Sequence, residues 1–351
     1  MTAEASAFAP IAALAGLAGL GLAVALFVAL ATPIVWPAVA HLARSRPPAT
    51  RERLAWAAAL APIVLPAGIV WLCALPGLLG ALTGLGDHCA GHGEHPHFCP
   101  VHATLALTPL LALGGAGFLA LTGALLLGAV GDGLALARER RWLARRWAGE
   151  LESGVQLVAG ETPIALTRGL RSPEIWITQS LLEDLDATDR AVVLAHERAH
   201  AARRDPARLL VAQLASRLHL PKVRGQILSA LRLATEQRCD DHAAEQIGDR
   251  LQVAETLLRV ARRMQRKPAG DWTLVAPLVD ASLPARIEAL VADPSPATRS
   301  AQGAQGERPR WPWITALAAF GMLLLARPVH HLAEHALEAL LRSMVGVPGL
   351  S

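Results

Sequence analysis

The sequence predicts a multi-pass α-helical membrane protein with one large domain outside the membrane, mainly α-helical and carrying a small antiparallel β-sheet. Two observations predict this class. The first is composition, because 53% of the 351 residues are hydrophobic, only 18% are charged, and the mean hydropathy is +0.36. The second is the distribution of charge, because long uncharged apolar runs stand apart from one segment of ordinary polarity. Such runs indicate membrane spans rather than the periodic apolar faces of a soluble domain.

Three apolar runs predict transmembrane helices, at about residues 11–36, 54–79 and 103–130. Each exceeds the roughly 20 residues that a helix needs to cross a hydrocarbon core of about 30 Å. A fourth, shorter run at 311–327 can span if the arginines that bound it extend toward the headgroups. The first run has a long apolar core and no positive charge before it, so we expect it to remain as an anchor rather than to be cleaved as a signal peptide.

The positions of the arginines predict the orientation. They cluster after the first and third apolar runs, whereas the N-terminal flank and the loop after the second run contain neither Lys nor Arg. The positive-inside rule then puts the N-terminus outside and residues 131–310 in the cytoplasm, in a bacterial inner membrane. The isoelectric point near 9.3 follows from this topology, so we do not take it as a sign of nucleic-acid binding.

The predicted outer loop, residues 86–102, is rich in metal-binding residue types. One interpretation is an extracytoplasmic metal sensor for copper or zinc. The other is a disulfide between its two cysteines, which this compartment permits, with histidines at the headgroup boundary. Spacing does not select between them. The residues concerned are His88, Cys89, His92, His95, His97, Cys99 and His102.

The predicted cytosolic segment begins with a helix at 131–150 and then changes to strand character. Three short β-rich stretches, GVQLVAG, TPIALTRGL and PEIWITQS, are separated by Gly, Pro and Ser and predict the small antiparallel sheet. We take residues 175–178 as an edge strand that could hold an extended substrate. Helices are predicted at 186–204 with Asp186 as N-cap, at 207–218, at 225–247 before Gly248, and at 250–266, followed by a linker at 293–310 and an outer tail at 328–351.

Residues 194–205 read LAHERAHAARRD and contain the pattern H-E-x-x-H. On a helix, His196 and His200 lie on the same face, so both imidazoles can bind one Zn²⁺ ion. Glu197 can then reach a metal-bound water without itself binding the metal. The alternative is a surface helix with solvated His and Glu side chains. The pattern favours a zinc site with an adjacent general base.

A catalytic zinc site needs a third protein ligand, and the stretch LATEQRCDDHAAEQIG offers one. Glu236 can supply an oxygen, and Asp240 lies on the same helical face four residues later. Asp240 can accept the free N–H of a ligating imidazole and so fix the orientation of that ring. The alternative is an acidic amphipathic helix with exposed carboxylates.

The strand PEIWITQSLL, the helix LDATDRAVVLAHERAHAARRD and then EQRCDDHA together resemble the BlaR/MecR-type integral-membrane zinc metallopeptidases, which are antirepressor gluzincins. The chain is more distantly similar to HtpX-like and CaaX-prenyl proteases. The resemblance covers about residues 1–330 and implies a gluzincin-like zinc peptidase domain. It implies zinc held by His196, His200 and Glu236, with Glu197 as general base and Asp240 orienting a ligand.

Two departures from that family change what we expect. Its best-known members carry a large extracytoplasmic β-lactam-binding domain, whereas about two dozen residues follow the fourth apolar run here, so we expect no antibiotic sensing through such a domain. The chain also has no tyrosine, so a phenol cannot stabilise the oxyanion of a tetrahedral intermediate. His219, His242 or a nearby arginine could do so.

The function that these observations predict is zinc-dependent hydrolysis of peptide bonds in a cytosolic or membrane-proximal protein. The substrate could be a transcriptional repressor in a signalling pathway, or the enzyme could be a housekeeping membrane protease. Alternatives from other classes are a non-catalytic membrane receptor and a metal-sensing protein that uses the outer loop. Intact His196, Glu197, His200 and Glu236 argue against the non-catalytic receptor.

Overall fold

The computed structural model describes residues 3–83, 109–266 and 282–292, with individual residues between 328 and 339. The predicted outer loop, the linker, the fourth apolar run and most of the predicted tail lie outside the described residues.

Three long helices cover the first two apolar runs and the third from Pro109 onward: α1 (Ala3–Ala43), α2 (Pro48–Thr83) and α3 (Pro109–Arg145). Residues 103–108 of the third run lie outside the described residues. Within them, Ile11–Ala43, Pro48–Leu75 and Pro109–Arg145 are long and apolar enough to cross a membrane. The first two spans extend past the predicted runs at their polar ends, and the helix of the third continues through the charged residues that follow it. Helical hydrogen bonding does not stop where hydropathy changes, so these helices continue into polar sequence.

The chain forms two compact units. Among the described residues, one contains α1 up to Ala31, α2 from Ala61, and α3 up to Leu126. Its buried residues are mostly small or aliphatic, namely Ala12, Leu17, Cys73, Ala74 and Leu111. The other unit contains Thr32–Leu60 and Leu127–Gln305, and it holds the candidate site.

The second unit contains a four-stranded sheet in the order β1-β2-β4-β3. The strands are β1 (Trp147–Glu152), β2 (Val155–Val158), β3 (Ala165–Arg168) and β4 (Glu174–Thr178). The prediction of an antiparallel sheet was wrong, because β2 and β4 are parallel, with Val155 beside Ile175, while the other two pairs are antiparallel. The sheet is therefore mixed.

Two further predictions about this region were wrong. Residues 147–150 belong to β1 rather than to the end of a helix, because α3 stops at Arg145. Residues 175–178 are not an edge strand, since β4 lies between β2 and β3 and its backbone is paired on both sides. The edges of the sheet are β1 and β3.

Six helices follow or flank the sheet: α4 (Gln179–Asp184), α5 (Ala187–Arg203), α6 (Asp205–Ala215), α7 (Pro221–Ile247), α8 (Arg250–Arg266) and α9 (Leu283–Val291). The predicted N-cap of α5 is confirmed, because the Asp186 carboxylate accepts a hydrogen bond from the Asp189 backbone N–H. The predicted C-cap of α7 is also confirmed, with Gly248 at a φ of 80°. Helices α4 and α9 were not predicted.

The core of this unit holds α5 between the sheet and α7. Its most buried side chains come from β4, α4, α5, α7 and α8, and they include Ile177, Leu181, Val192, Ala243 and Leu257. Because α5 and α7 pack directly on each other, the residues that the sequence analysis placed on two separate helices come close together.

Candidate metal centre

The two histidines of H-E-x-x-H lie on the buried side of α5. The His196 side chain is 2% exposed and that of His200 is 12% exposed. One helical turn separates them, and their Nε2 atoms lie 3.2 Å apart. The rings meet edge to face at an interplanar angle of 77°, so their Nε2 atoms point toward the same small volume.

Helix α7 brings Glu236 to the same volume. Its Oε2 lies 3.3 Å from Nε2 of His196, and its Oε1 lies 3.5 Å from Nε2 of His200. The three ligand atoms of this group all lie within 4.8 Å of one another. The structure therefore brings together the three residues that the sequence analysis selected as ligands.

These separations fit a tetrahedral zinc ion. Nitrogen and oxygen ligands at about 2.0–2.2 Å from zinc, in tetrahedral directions, lie roughly 3.3–3.6 Å from one another. The two Nε2 atoms are 3.2 Å apart, and each lies 3.3 or 3.5 Å from a different oxygen of Glu236. Two imidazole nitrogens and a carboxylate are also a donor set that zinc accepts.

A carboxylate lies beside the Nδ1 atom of each imidazole, on the side of the ring opposite the converging Nε2 atoms. Asp240 Oδ1 lies 3.0 Å from Nδ1 of His196, although without the alignment of a good hydrogen bond. Asp205 Oδ2 lies 2.9 Å from Nδ1 of His200. We assign the proton of each ring to Nδ1 on these contacts, which leaves both Nε2 lone pairs available to a metal.

Asp205 was not assigned a role by the sequence analysis. It stands at the first position of α6, five residues after His200, and it is 2% exposed. Its sequence signals are its place directly after the helix that carries the motif and the resemblance of the run Arg203-Arg204-Asp205 to the BlaR/MecR-type sequence after that motif.

Arg286 of α9 was also missed, and it contacts two of the predicted site residues. Its guanidinium donates to Asp240 through Nε and NH2, at 2.8 and 2.6 Å, and its NH1 lies 3.0 Å from Oε2 of Glu236. The side chain is fully buried. No motif marks Arg286 in the sequence.

Neighbouring charges shift the pKa values of the site's carboxylates and of His196. Burial acts to raise the pKa of Glu236 and of Asp240, but the Arg286 guanidinium outweighs it and holds both below their ordinary values. Burial acts to lower the pKa of His196, but the Asp240 and Glu236 carboxylates outweigh it and raise that pKa. The site is thus rich in carboxylate charge and suits a cation.

Glu197 lines a pocket beside the ligand atoms and is 3% exposed. Its Oε2 lies 2.7 Å from the hydroxyl of Thr167 on the edge strand β3, and that hydroxyl is also 3.0 Å from the Glu197 backbone oxygen. These contacts restrain the carboxylate of Glu197 at the pocket wall. The pocket is otherwise lined by Leu166, Arg168, His196, His200, Asp205, Pro206, Leu209 and Glu236.

A second cluster of possible ligand atoms joins His200, Asp205 and Cys239. The Cys239 sulfur lies 3.3 Å from Nδ1 of His200. Burial raises the pKa of the Cys239 thiol to about 11, so the thiol is protonated at neutral pH when no metal is bound.

The two histidines considered for oxyanion stabilisation lie elsewhere. His219 has its Nε2 2.9 Å from the backbone oxygen of Ala58, and burial lowers its pKa. His242 contacts the side chain of Gln246. Neither lines the pocket, whereas Arg168 does, with its Nε donating to Glu139 at 2.7 Å.

Comparison with known proteins identifies one similarity. The sequence model of a family described as Peptidase family M48 matches residues 145–275, more than a third of the chain. The matched segment runs from the end of α3 past α8 and includes the five predicted site residues, but it ends before α9. No curated protein and no solved structure matches the chain. The match supports a metallopeptidase, and hence a protein or peptide substrate, without distinguishing the BlaR/MecR-type subtype.

Proposed function

We propose that the protein is a membrane-embedded zinc endopeptidase whose active site is formed by α5, α7 and β3. Zinc would be held by His196, His200 and Glu236, with Glu197 as general base. The observation that carries the proposal is the convergence of two imidazole nitrogens and one carboxylate, from two helices separated in sequence, with nitrogen–nitrogen and nitrogen–oxygen distances of 3.2 to 3.5 Å. The family match to metallopeptidases over the same segment supports it independently.

The proposed reaction is amide hydrolysis. Zinc, when bound, would act as a Lewis acid and lower the pKa of a coordinated water molecule to about 7. Glu197 takes a proton from the attacking water and passes it to the leaving amine. Thr167 restrains Glu197 during this transfer through its hydroxyl contact. Asp240 and Asp205 keep the imidazoles of His196 and His200 in orientation.

The substrate, on this proposal, binds as an extended strand along β3. The backbone N–H of Thr178 donates a hydrogen bond to the Ile164 oxygen, so Ile164 and Thr178 form a hydrogen-bonded pair. In an antiparallel pair of strands, hydrogen-bonded and non-hydrogen-bonded pairs alternate, so Thr167 belongs to a non-hydrogen-bonded pair with Ile175. The N–H of Thr167 consequently points away from β4, beside the pocket. A substrate backbone could pair there, which replaces the earlier assignment to residues 175–178.

The finer role we propose is that of an antirepressor peptidase that cuts a transcriptional repressor, as the resemblance to the BlaR/MecR type implies. Its support is the combination of membrane-length helices with a metallopeptidase segment in one chain. A housekeeping membrane protease would have the same active site and differ only in its substrate.

The change Glu197→Gln tests the hydrolytic mechanism. It keeps the ligands and the size of the side chain but removes the base, so we expect zinc content to stay at the wild-type level. Turnover of casein, or self-cleavage, should fall by about 10²–10⁴-fold. The measurements are metal analysis and proteolysis with the full chain purified in detergent.

Glu245→Gln serves as the matched control, because Glu245 is an exposed carboxylate on α7 outside the pocket. It should keep wild-type activity. Equal activity of wild type and Glu197→Gln would refute the mechanism, and a wild-type chain that binds no zinc would refute the site.

A further inference from the structure

A buried glutamate in the long apolar helix α2 connects that helix to residues 145–275, which match the peptidase family model and are called the peptidase segment below. Glu52 is 1% exposed. Its Oε1 accepts hydrogen bonds from Arg203 at 2.8 Å and from Arg208 at 2.5 Å, and its Oε2 accepts one from Arg238 at 2.7 Å. A buried carboxylate without partners would cost several kcal/mol, so three guanidinium groups around one carboxylate form a built ion cluster.

Two of these arginines also bind Asp205. Arg203 reaches it through Nε, at 3.1 and 3.2 Å from its two oxygens, and Arg208 reaches it through NH1 at 3.1 Å. Each guanidinium therefore bridges Glu52 and Asp205. Because Asp205 in turn lies 2.9 Å from Nδ1 of His200, an unbroken series of ion pairs, ending in a hydrogen bond, runs from α2 to a proposed zinc ligand.

We propose that Glu52 is a positioning residue for His200, an inference that rests on the proposed zinc site. Glu52 holds Arg203 and Arg208 in place, these hold the Asp205 carboxylate, and that carboxylate sets the orientation and basicity of the His200 imidazole. Groups that hydrogen-bond to a ligating imidazole generally change metal affinity by about 10–100-fold when removed. A displacement of α2 would reach the metal ligand along the same path.

The attachment of α2 to the peptidase segment does not depend on Glu52 alone, so a positioning role for Glu52 can be tested apart from that attachment. The end of α2 packs on α7 through an apolar cluster that does not involve Glu52, and Arg51 donates to the side chain of Gln237. Loss of the Glu52 charge leaves these contacts in place but removes the shared partner of Arg203, Arg208 and Arg238, and the first two of these bind Asp205. The apolar cluster consists of Trp36, Ala55, Ala59, Ala212, Val223, Ile227 and Leu231.

The test compares Glu52→Gln with Asp132→Asn in the full chain purified in detergent. Asp132 of α3 pairs with Arg217 at 2.8 Å, which is also an ion pair between a spanning helix and the peptidase segment, but it does not touch the site. Competition with a chelator measures zinc affinity, and the visible absorption of the Co²⁺-substituted protein reports ligand geometry. We expect zinc affinity about tenfold weaker in Glu52→Gln, with a shifted Co²⁺ spectrum, and no change in Asp132→Asn.

A double-mutant cycle tests the path. Asp205→Asn should weaken zinc binding at least as much as Glu52→Gln, and the double variant should be no weaker than Asp205→Asn alone, because both changes act through one residue. Glu52→Asp, which keeps the charge, should lie between wild type and Glu52→Gln. If Glu52→Gln does not fold, the zinc affinity of Glu52→Asp is the deciding measurement. Its thermal unfolding temperature is measured in parallel to show that this variant is folded.

Unchanged zinc affinity and an unchanged Co²⁺ spectrum in a folded Glu52 variant would overturn the inference, as would additive effects in the cycle. Failure of the proposed function gives a different result. In that case wild type either binds no zinc, or binds zinc and turns over substrate no faster than Glu197→Gln.

Discussion

At the scale of single residues, one guanidinium contacts two carboxylates of the candidate site. Arg286 binds Asp240 through two nitrogens and reaches Glu236 with a third, in a fully buried position. Without it, two buried carboxylates would lie near each other with only imidazoles as partners. Arg286 thus offsets their repulsion and holds them beside the two ring nitrogens of His196.

Replacing Arg286 therefore tests whether the site needs this cation. Arg286→Gln breaks a buried ion pair, which costs about 3–5 kcal/mol of stability, and should weaken zinc binding by about 10–100-fold. Arg286→Lys should recover only part of this, because an ammonium group does not reproduce the two parallel hydrogen bonds. Chelator competition and thermal unfolding measure the two effects.

Arg250→Gln is the control for that change. Arg250 also joins α9 to α7, through Asp241 and the backbone oxygens of Ala289 and Leu290, without lining the site. It can lower stability but should leave zinc affinity near the wild-type value. Equal losses of zinc affinity in the two variants would mean that Arg286 acts through the general docking of α9.

The predicted ligands differ from the missed residues in a physical way. His196, His200 and Glu197 share one helix, so the period of 3.6 residues alone aligns them, and Glu236 with Asp240 shows the same spacing. Asp205 and Arg286 reach the site only through the turn after α5 and the docking of α9. Neither arrangement leaves a periodic trace in the sequence.

At the scale of elements, the helices were easier to predict than the sheet, because the signals of a helix are local in sequence and those of strand pairing are not. Caps and apolar period are local, and they located α5 and α7 to within a few residues. Strand pairing joins residues far apart, such as Val155 with Ile175, and no local signal states whether it is parallel. Strand β1 was missed because WAGELE is largely exposed and carries two register shifts.

The turn between α5 and α6 carries a prediction of its own. Arg204 has a φ of 54° and is the only non-glycine residue with positive φ in the part of the chain that the structure describes. This left-handed residue ends α5 and lets α6 begin at Asp205, which returns toward His200. A side chain with a Cβ in that conformation costs roughly 1–2 kcal/mol.

Arg204→Gly should therefore stabilise the protein by about 1 kcal/mol, after the greater entropy of glycine in the unfolded chain is subtracted. Thermal unfolding of the purified protein measures the change. Arg204→Ala is the matched control, because it removes the same exposed side chain but keeps the Cβ. If Ala stabilises as much as Gly, the gain comes from the lost charge and not from the backbone.

At the scale of the whole molecule, the apolar runs predicted the three long helices but not where they end. Helix α2 begins at Pro48, ahead of the apolar run, and its first turns carry Arg51 and Glu52, both engaged by the peptidase segment. Hydropathy reports the lipid-facing stretch alone. The polar ends, which belong to the same compact unit as the candidate site, need tertiary contacts for their identification.

The orientation of the chain in the membrane is the remaining prediction at this scale. Arginines follow the first and third apolar runs, and cytoplasmic loops of membrane proteins carry an excess of Lys and Arg, so we propose that this side faces the cytoplasm. Cysteine labelling tests it, because the native Cys73 and Cys239 are buried. In spheroplasts treated with a reductant, a membrane-impermeant maleimide should label wild type through Cys89 and Cys99 in the predicted outer loop.

The opposite face is tested with Ser153→Cys, in a chain that also carries Cys89→Ser and Cys99→Ser. Residue 153 is exposed in the turn between β1 and β2 of the peptidase segment. With the arginine-rich side in the cytoplasm, this variant should react only after the membrane is permeabilised. The chain with both serine changes and no Ser153→Cys gives the background. Labelling of Ser153→Cys in intact spheroplasts would reverse the topology and place the proposed active site outside the cell, where it could not cut a cytosolic repressor.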